Sequence, residues 1–400
     1  MEQFSSLSKK LTKNLGKDEK KKNGIFFTPK SIVSDMIKVC KKHNKNIKRI
    51  LEPSCGSCQV INELDNEYEN IEIDGIEYND TIFNEIKVLK YKNNINLINA
   101  DYLNFTPTEK YDLIIGNPPY FVMSKKVVDK SYHKYFNGRP NIFILFMVKA
   151  MSELKPNGIL SFVLPKNFLN CNYYNELRVY IHDNYKIVNI KDNSGVKYIE
   201  TGQDTIMFII QNVKFINKTY TLKLYDNTIF NTIENIKELK EYYKDSTSLK
   251  VLKFEVNVGN VVWNQVKDKL TYDNTKTRLV YSSDIVDNKL SIKQYRNPAK
   301  KNYINKDGKT DLLLVVNRGY GKGKYKFSYC LIDTDKEYLI ENHLICIRSL
   351  EKMERNLLLE KYKLIINSLK SDKTKKFIEL YFGNNAINTK ELREMIPIYI

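Results

Sequence analysis

The sequence predicts a doubly wound α/β domain followed by a mixed α+β domain, and two observations lead there. Apolar, β-prone runs at Ile47–Leu51, Ile71–Glu77, Ile95–Asn99 and Tyr111–Gly116 recur about every 20 residues, the spacing of βα units in a parallel sheet. The chain has 400 residues, and at ~150 residues per domain that leaves room for a second one.

The elements follow in order. Residues 1–23 are polar and lysine-rich and read as a basic, mobile arm. The α/β domain is expected over 24–214. Asn141–Leu154 has apolar residues at helical spacing and ends in Lys155-Pro156-Asn157-Gly158, a stop signal. Ile159–Leu164, Ile187–Lys191 and Thr205–Gln211 read as further strands. Residues 215–248 are polar and read as a linker. The second domain, 249–400, holds Trp263, a basic Gly/Tyr-rich stretch at Asn317–Tyr329, a helical pattern from Met353 to Phe382 and a short closing strand at Met395–Ile400.

Composition narrows the class. With 42% hydrophobic and 28% charged residues the chain reads as globular. No run of eighteen apolar residues exists, which argues against a transmembrane span. The N-terminus lacks the apolar core of a secretion signal, and Cys40, Cys55, Cys58, Cys171, Cys330 and Cys346 show no disulfide-scaffold spacing. An intracellular, cytoplasmic protein in a reducing compartment is expected. The net charge is +18, unevenly spread: 14 basic and 4 acidic residues over 1–50, 16 and 20 over 51–210, 35 and 23 over 211–400. Segregated positive charge is the footprint of a polyanion binder.

The chemistry concentrates at four strand ends. Tyr111–Gly116 runs into Asn117-Pro118-Pro119-Tyr120. Ligands of open α/β sheets bind outside the carboxyl ends of strands. The prolines remove two N–H donors and fix two φ angles. The Asn117 oxygen and the Pro118 carbonyl therefore make two acceptors for one –NH₂ group, and Tyr120 offers a stacking face. Upstream, Leu51-Glu52-Pro53-Ser54-Cys55-Gly56-Ser57-Cys58 is a strand entering a small-residue turn, where backbone can approach a ligand closely. Glu77 follows Gly56 by 21 residues, placed to grip ribose hydroxyls. Asp101-Tyr102 ends the third unit. No G-x-G-x-x-G occurs, and His43, His133, His182 and His343 lack metal-like or triad spacing. Cys55 and Cys58 have no second pair, so no metal is expected.

Taken together and in this order, these motifs resemble the N6-adenine DNA methyltransferases of type II, gamma motif order. Phe26-Phe27-Thr28-Pro29 looks like the family's motif X, Glu52–Cys58 motif I, Glu77 motif II, Asp101-Tyr102 motif III and Asn117–Tyr120 motif IV, over about residues 24–211. The resemblance implies a Rossmann-like methyltransferase domain followed by a DNA target-recognition domain. It implies S-adenosyl-L-methionine as cofactor, with S-adenosyl-L-homocysteine as product. Thr28 then meets the methionine carboxylate and Glu52 its amino group, while Phe27, Ser54 and Gly56 line the turn. Glu77 holds the ribose, Asp101 and Tyr102 the adenine, and Asn117 adjoins both cofactor and base. The sequence departs from the family at Cys58, where Gly is usual; a thiol there either crowds the cofactor or faces the helix behind.

Site-specific methylation of adenine N6 in double-stranded DNA is the activity this implies, with the catalytic set Asn117, Pro118, Pro119 and Tyr120. A duplex base must be flipped out to reach such a crevice. Tyr120 stacks on one of its faces, and Tyr198, similar in position to the family's motif VIII aromatic, on the other. Arg318, Lys322, Lys324 and Lys326, and the cluster Arg296, Lys300 and Lys301, are the expected DNA contacts. A separate cognate restriction endonuclease is the further partner of such enzymes, and a monomer or weak dimer is expected. No fused nuclease domain is expected before Phe26. Methylation of a protein glutamine or an RNA amino group, or a DNA-binding subunit with a degenerate methyltransferase fold, remain open as alternatives.

Overall fold

The computed structural model describes residues 3–199, 202–215, 217–318, 328–382 and 387–400. It divides into two compact units, Met1–Ile236 and Lys237–Ile400.

The first unit is built on a seven-stranded sheet. Its strands are β1 (Arg49–Glu52), β2 (Glu72–Glu77), β3 (Asn94–Asn99), β4 (Tyr111–Gly116), β5 (Leu154–Pro165), β6 (Lys186–Asp192) and β7 (Thr205–Gln211). The spatial order is β3-β2-β1-β4-β5-β7-β6. Pairings among β1–β5 are parallel, and β7 runs antiparallel to both its neighbours. The order reverses between β1 and β4, the topological switch point of a doubly wound sheet. Alternate residues of each strand serve opposite faces, as the pleat requires. Leu51, Ile114, Leu160 and Phe208 join one apolar core, and Ile50, Leu113, Ile159 and Ile209 the other.

Helices cover both faces. These are α1 (Ser6–Asn14), α2 (Lys17–Asn23), α3 (Lys30–His43), α4 (Gln59–Glu67), α5 (Asp80–Ile86), α6 (Ile142–Ser152) and α7 (Asn175–Asn184). The first two overturn the expectation of a mobile arm. Leu7, Leu11 and Leu15 recur every four residues, one stripe of a helical face, and Leu11 and Leu15 are buried with Ile32, Val33 and Met36. Side chains fasten this face down: Ser8 Oγ lies 2.7 Å from Ser57 Oγ, and Gln59 Oε1 accepts from Ser5 N–H at 3.1 Å. Lys9, Lys10, Lys13 and Lys17 are exposed on its outer side, while Lys20 is buried and donates to Thr12 O at 2.5 Å.

Residues 215–248 likewise hold more than a linker. Strands β8 (Thr221–Leu224) and β9 (Asn227–Phe230) form a hairpin, and α8 spans Ile233–Tyr243 across the unit boundary. Fully buried Arg178 on α7 donates to the carbonyls of Phe168, Cys171 and Thr228 and so pins the hairpin to the unit. Asn175 adds reciprocal bonds with Asp226 and Thr228.

The second unit is mixed α+β. One antiparallel sheet orders Phe254–Val258, Leu344–Ser349, Leu313–Asn317 and Tyr329–Ile332. A smaller one joins Leu270–Thr271, Tyr303–Ile304, Thr277–Val280 and Tyr338–Ile340. Helices Arg355–Lys370, Asp372–Tyr381 and Thr389–Glu394 follow. The expected closing strand is a single bridge between Thr247 and Ile398. Among the described residues no helix is long and apolar enough to cross a membrane.

Glu391 gives this unit a pH-dependent term. Its carboxylate accepts from Asn388 N–H at 3.1 Å in a capping box, yet burial pushes its pKa up to about 7. A carboxyl whose folded pKa lies above its unfolded value stabilises fully below the unfolded value, and that stability fades as pH rises through the folded one. Glu391→Gln keeps the acceptor and removes the charge. Denaturant unfolding should show the variant gaining stability over wild type at pH 8 but not at pH 4, by up to roughly 3 kcal/mol.

Candidate functional site

A cavity of about 850 Å³ opens at the carboxyl edge of the first sheet. Four strand ends supply its floor: Ser54 and Gly56 after β1, Glu77 of β2, Asp101 and Tyr102 after β3, and Asn117 and Pro119 after β4. Phe121, Met123, Ile142 and Phe146 add an apolar wall, and Asp18 with Asn23–Phe27 another. Three acidic residues, Asp18, Glu77 and Asp101, are among those that line this space. Among the described side chains that line it none is lysine or arginine.

The turn after β1 is shaped by its neighbours. Cys55 N–H donates to Ile76 O at 2.8 Å, and Cys58 N–H to Cys55 O at 2.7 Å. Gly56 takes a left-handed φ of 51°, and its N–H donates to Glu77 Oε2 at 2.8 Å. Ser54 Oγ–H reaches Asn117 O at 3.1 Å, linking this turn to the next strand end. Cys58 also sits at a left-handed φ, 56°, a conformation glycine adopts more readily. Its side chain is fully buried, meets Cys55 and Tyr91, and stands outside the cavity lining. The thiol therefore faces the interior behind the turn. A hydrogen bond with Cys58 and burial together push the Cys55 thiol well above its ordinary range, so it is not ionised, and both sulfurs are buried away from the cavity.

Glu77 is buried and accepts from Gly56 and Asn79 N–H, yet desolvation outweighs these bonds and raises its pKa. Asp101 accepts from Leu103 N–H at 2.9 Å and from Asn104 Nδ2 at 2.7 Å. The Tyr102 ring borders the cavity and packs on Phe146, while its hydroxyl donates to Glu153 at 2.7 Å. Two expected cofactor contacts are placed elsewhere. Thr28 and Glu52 are buried and absent from the lining. Glu52 Oε2 has no hydrogen-bond partner, and burial raises its pKa strongly. Phe27 does line the cavity, 3.4 Å from where a side chain on Gly56 would begin.

The Asn117–Tyr120 loop is held from two sides. Asn117 Nδ2 donates to Phe26 O at 3.1 Å, and its Oδ1 lies 2.5 Å from the Tyr120 hydroxyl. That hydroxyl also lies 2.7 Å from Val163 O, so its single proton has two acceptors. Burial, with a smaller contribution from Tyr198, raises the Tyr120 pKa well above 10. Pro118 and Tyr120 are not on the lining; the Tyr120 ring packs edge-on against Phe143, 6.1 Å between centroids. Tyr198 bonds Thr205 Oγ1 at 2.9 Å and shares a small cleft with Thr12, Phe26 and Phe27.

Of the basic residues expected on DNA, Lys322, Lys324 and Lys326 lie outside the described residues, and Arg318 is half-buried at a strand end. Arg296 is exposed. Lys300 packs over both the Tyr281 and Tyr295 rings, 4.0 and 4.5 Å from their centroids, beside buried Asp284. Lys301 donates to Leu270 O at 3.1 Å. Both are engaged within their own unit, so neither is presented as a free phosphate contact. Asp18 and Asn23 went unread in the sequence, because nothing local signals that a lysine-rich helix will form a cavity wall.

The model of the Eco57I restriction-modification methylase family matches residues 40–199. The chain is 27% identical to the modification methylase CviBIII of Paramecium bursaria Chlorella virus NC1A over the full length of both. It is 29% identical to the type II methyltransferase M.CvrRI of Paramecium bursaria Chlorella virus XZ-6E, again over the whole of both chains. Among solved structures, the DrdV–DNA complex superposes with a TM-score of 0.55 at 14% identity, over 98% of this chain and 57% of that one, a likeness of fold.

Gly24 ties the helical segment to the Asn117–Tyr120 loop. It ends α2 at φ 64°, and a Cβ there would lie 2.7 Å from Tyr120 N and 3.1 Å from Pro119 Cβ. Gly195 has φ 90° but open space around it. Alanine at either position carries the backbone cost of a left-handed residue, about 1–2 kcal/mol, and only Gly24→Ala adds a clash with main chain. Thermal unfolding should rank Gly24→Ala clearly below Gly195→Ala; equal melting temperatures would disprove the packing described.

Proposed function

We propose that this chain, which belongs to the restriction-modification DNA methyltransferases of the adenine type, methylates the N6 amino group of an adenine flipped out of duplex DNA. The observation that carries the reading is the Asn117 carboxamide, fixed at the end of β4 and lining an acidic cavity at the switch point. The cavity fits S-adenosylmethionine: it is large, apolar on one wall, and lined by carboxylates that suit a cation-bearing ligand. When bound, that cofactor supplies an electrophilic sulfonium methyl.

Glu77 would hold the ribose hydroxyls and Asp101 the adenine amino group, with Ser54, Gly56, Phe27 and the Tyr102 ring around them. Thr28 and Glu52, like Pro118, are set behind the lining rather than on it. Asp18 and Asn23 join the cofactor set. On the target side, adenine N6 is a weak nucleophile because its lone pair is conjugated into the ring. Asn117 Oδ1 and the Pro118 carbonyl accept its two hydrogens and draw the lone pair out of conjugation. When Tyr120 donates to Val163 O instead, Asn117 Oδ1 is released for this task. Burial keeps Tyr120 protonated, so no phenolate repels the Asn117 oxygen. No covalent step is required, in keeping with the burial of both cysteines of the turn.

Asn117→Ala should lower the rate of methyl transfer by ~10²-fold or more, as expected when a dedicated polar group facing the reacting atom is removed. Calorimetry with S-adenosylhomocysteine should find its cofactor affinity within a few-fold of wild type. Glu77→Ala and Asp101→Ala should show the converse, each weakening cofactor binding by roughly 1.5–3 kcal/mol. Methylation-sensitive sequencing of DNA from cells expressing the chain tests the base: unmodified adenines throughout would refute the assignment.

A further inference from the structure

Residues 122–140, between the Asn117–Tyr120 strand end and α6, form a loop with an unusual charge for its surroundings. The span 51–210 carries 16 basic and 20 acidic residues, yet this loop takes five of the basic ones and a single acid. Lys125, Lys126, Lys130, Lys134 and Arg139 are all exposed. None of the five has an ion-pair partner among the described residues; Lys125 lies over the Phe136 ring at 5.7 Å and Lys134 over the Tyr135 ring at 5.0 Å, contacts that leave their ammonium groups exposed and charged. Elsewhere in the same unit the pairing is extensive: Lys10 with Glu85, Lys30 with Glu63, Lys41 with Glu67, Lys155 with Asp112, Lys166 with Asp192 and Lys191 with Asp35. The one acid, Asp129, turns its carboxylate onto Ser131 N–H at 2.8 Å.

The loop is also a shaped object. Met123 N–H donates to Pro140 O at 2.8 Å, Ile142 N–H to Phe121 O at 3.0 Å, and Val122 bridges Asn141. These bonds clamp its two ends together beside the cavity, which Val122 and Met123 line. Val128 and Phe136 are buried as anchors, and Asn137 N–H is held by Tyr173 O at 3.0 Å. Five cations and a single carboxylate are thus displayed on a pre-formed frame whose clamped ends border the cavity, which leaves the loop strongly positive. Like charges held together without counter-charges cost energy unless a polyanion answers them.

We propose that this loop is a phosphate-gripping surface for duplex DNA in the catalytic unit, additional to any contacts made by the C-terminal unit. The proposal rests on the methyltransferase reading above. It places backbone contacts next to the cavity that receives the base, where they fix the register of the duplex without reading its sequence. A flipped nucleotide remains joined to the phosphates on either side of it, so cations at the mouth hold the strand at the point where it is distorted.

The test uses the full-length chain saturated with S-adenosylhomocysteine and a 30-base-pair duplex of mixed sequence, titrated by fluorescence anisotropy at several salt concentrations. The variant K125S/K126S/K130S/K134S is compared with wild type and with K38S/K42S/K45S/K48S. The second variant loses the same charge on α3 and in the segment that leads into β1, by the opposite, amino-terminal edge of the sheet. Each lysine–phosphate pairing removed flattens the slope of log K against log salt by ~0.9. The loop variant's slope should therefore be shallower by about 2 to 4, and it should bind at least ~10-fold more weakly at moderate salt, while the control variant keeps close to the wild-type slope. Cofactor affinity, unchanged in both, certifies folding, and a K125R/K126R/K130R/K134R variant should keep the wild-type slope. A loop variant with wild-type slope and affinity, or a control variant that weakens as much, overturns the loop assignment alone. A wild-type chain that binds cofactor but no duplex overturns the methyltransferase reading with it.

Discussion

The site depends above all on the pairing of β1 with β4. These strands are adjacent in the sheet although more than fifty residues separate them in the chain, and Ile50 and Leu51 register against Leu113 and Ile114. That register brings the Glu52-Pro53 and Gly116-Asn117 corners side by side. Gly116 matters here because a Cβ on it would lie 3.5 Å from Glu52 Cγ and 3.6 Å from Pro53 Cδ, so the two chains run in close contact as they leave the sheet. Each then turns away in the opposite direction, as the strand order demands, and the space between the turns is the cavity. The bond from Ser54 to the Asn117 carbonyl closes the seam. A one-residue slip would reverse every side chain of β4 between the two cores and break this geometry.

Charge is sorted around that seam by position. The whole chain carries +18, yet the cavity presents Asp18, Glu77 and Asp101. On the proposed reading this separation does two jobs at once. Positive charge on the outer surface attracts a polyanion, and the carboxylates keep its phosphates out of a space meant for a cationic small molecule. It also favours substrate over product, since the sulfonium charge disappears in the reaction while the carboxylates remain. Partial burial lowers the effective dielectric and strengthens that discrimination beyond what surface charges achieve.

The sheet and the strand-end motifs were legible in the sequence because they are written locally. Tyr111–Gly116 is a continuous apolar run ending in a rigid Asn-Pro-Pro, and strand identity, position and rigidity all follow from ten residues. Gly56 and Glu77 were legible for the same reason, as a turn and the end of the next strand. The N-terminal helices were not. Their leucine stripe at 7, 11 and 15 is diluted by lysines, and only packing against α3 and α4 reveals that this face is interior. Cys58 is intermediate. The sequence marked it as a departure from glycine, but whether its thiol faced ligand or core depended on Cys55 and Tyr91, which belong to different elements. At Lys300 and Lys301 the sequence showed only charge, and the tyrosine rings and main-chain carbonyl that hold them come from neighbouring elements.

The N-terminal segment also settles a question that the Asn-Pro-Pro-Tyr string leaves open. A carboxamide is nearly symmetric in shape, and rotating it by half a turn exchanges an acceptor for two donors. Facing a target amino group, the wrong orientation sets N–H against N–H and repels the substrate. In the structure the choice is made by Phe26 O, which accepts from Asn117 Nδ2 across 91 residues of sequence. An acceptor on that side stabilises only the orientation that turns Oδ1 toward the Tyr120 hydroxyl, where the opposite edge of the amide needs a donor. The Phe26 carbonyl is itself positioned by Gly24, whose left-handed turn ends α2 against Pro119 and Tyr120. On the proposed reading, helices that look like a solvated basic arm therefore act on the chemistry through one main-chain oxygen. The asparagine's identity lies in the motif, but its direction is imposed from outside it.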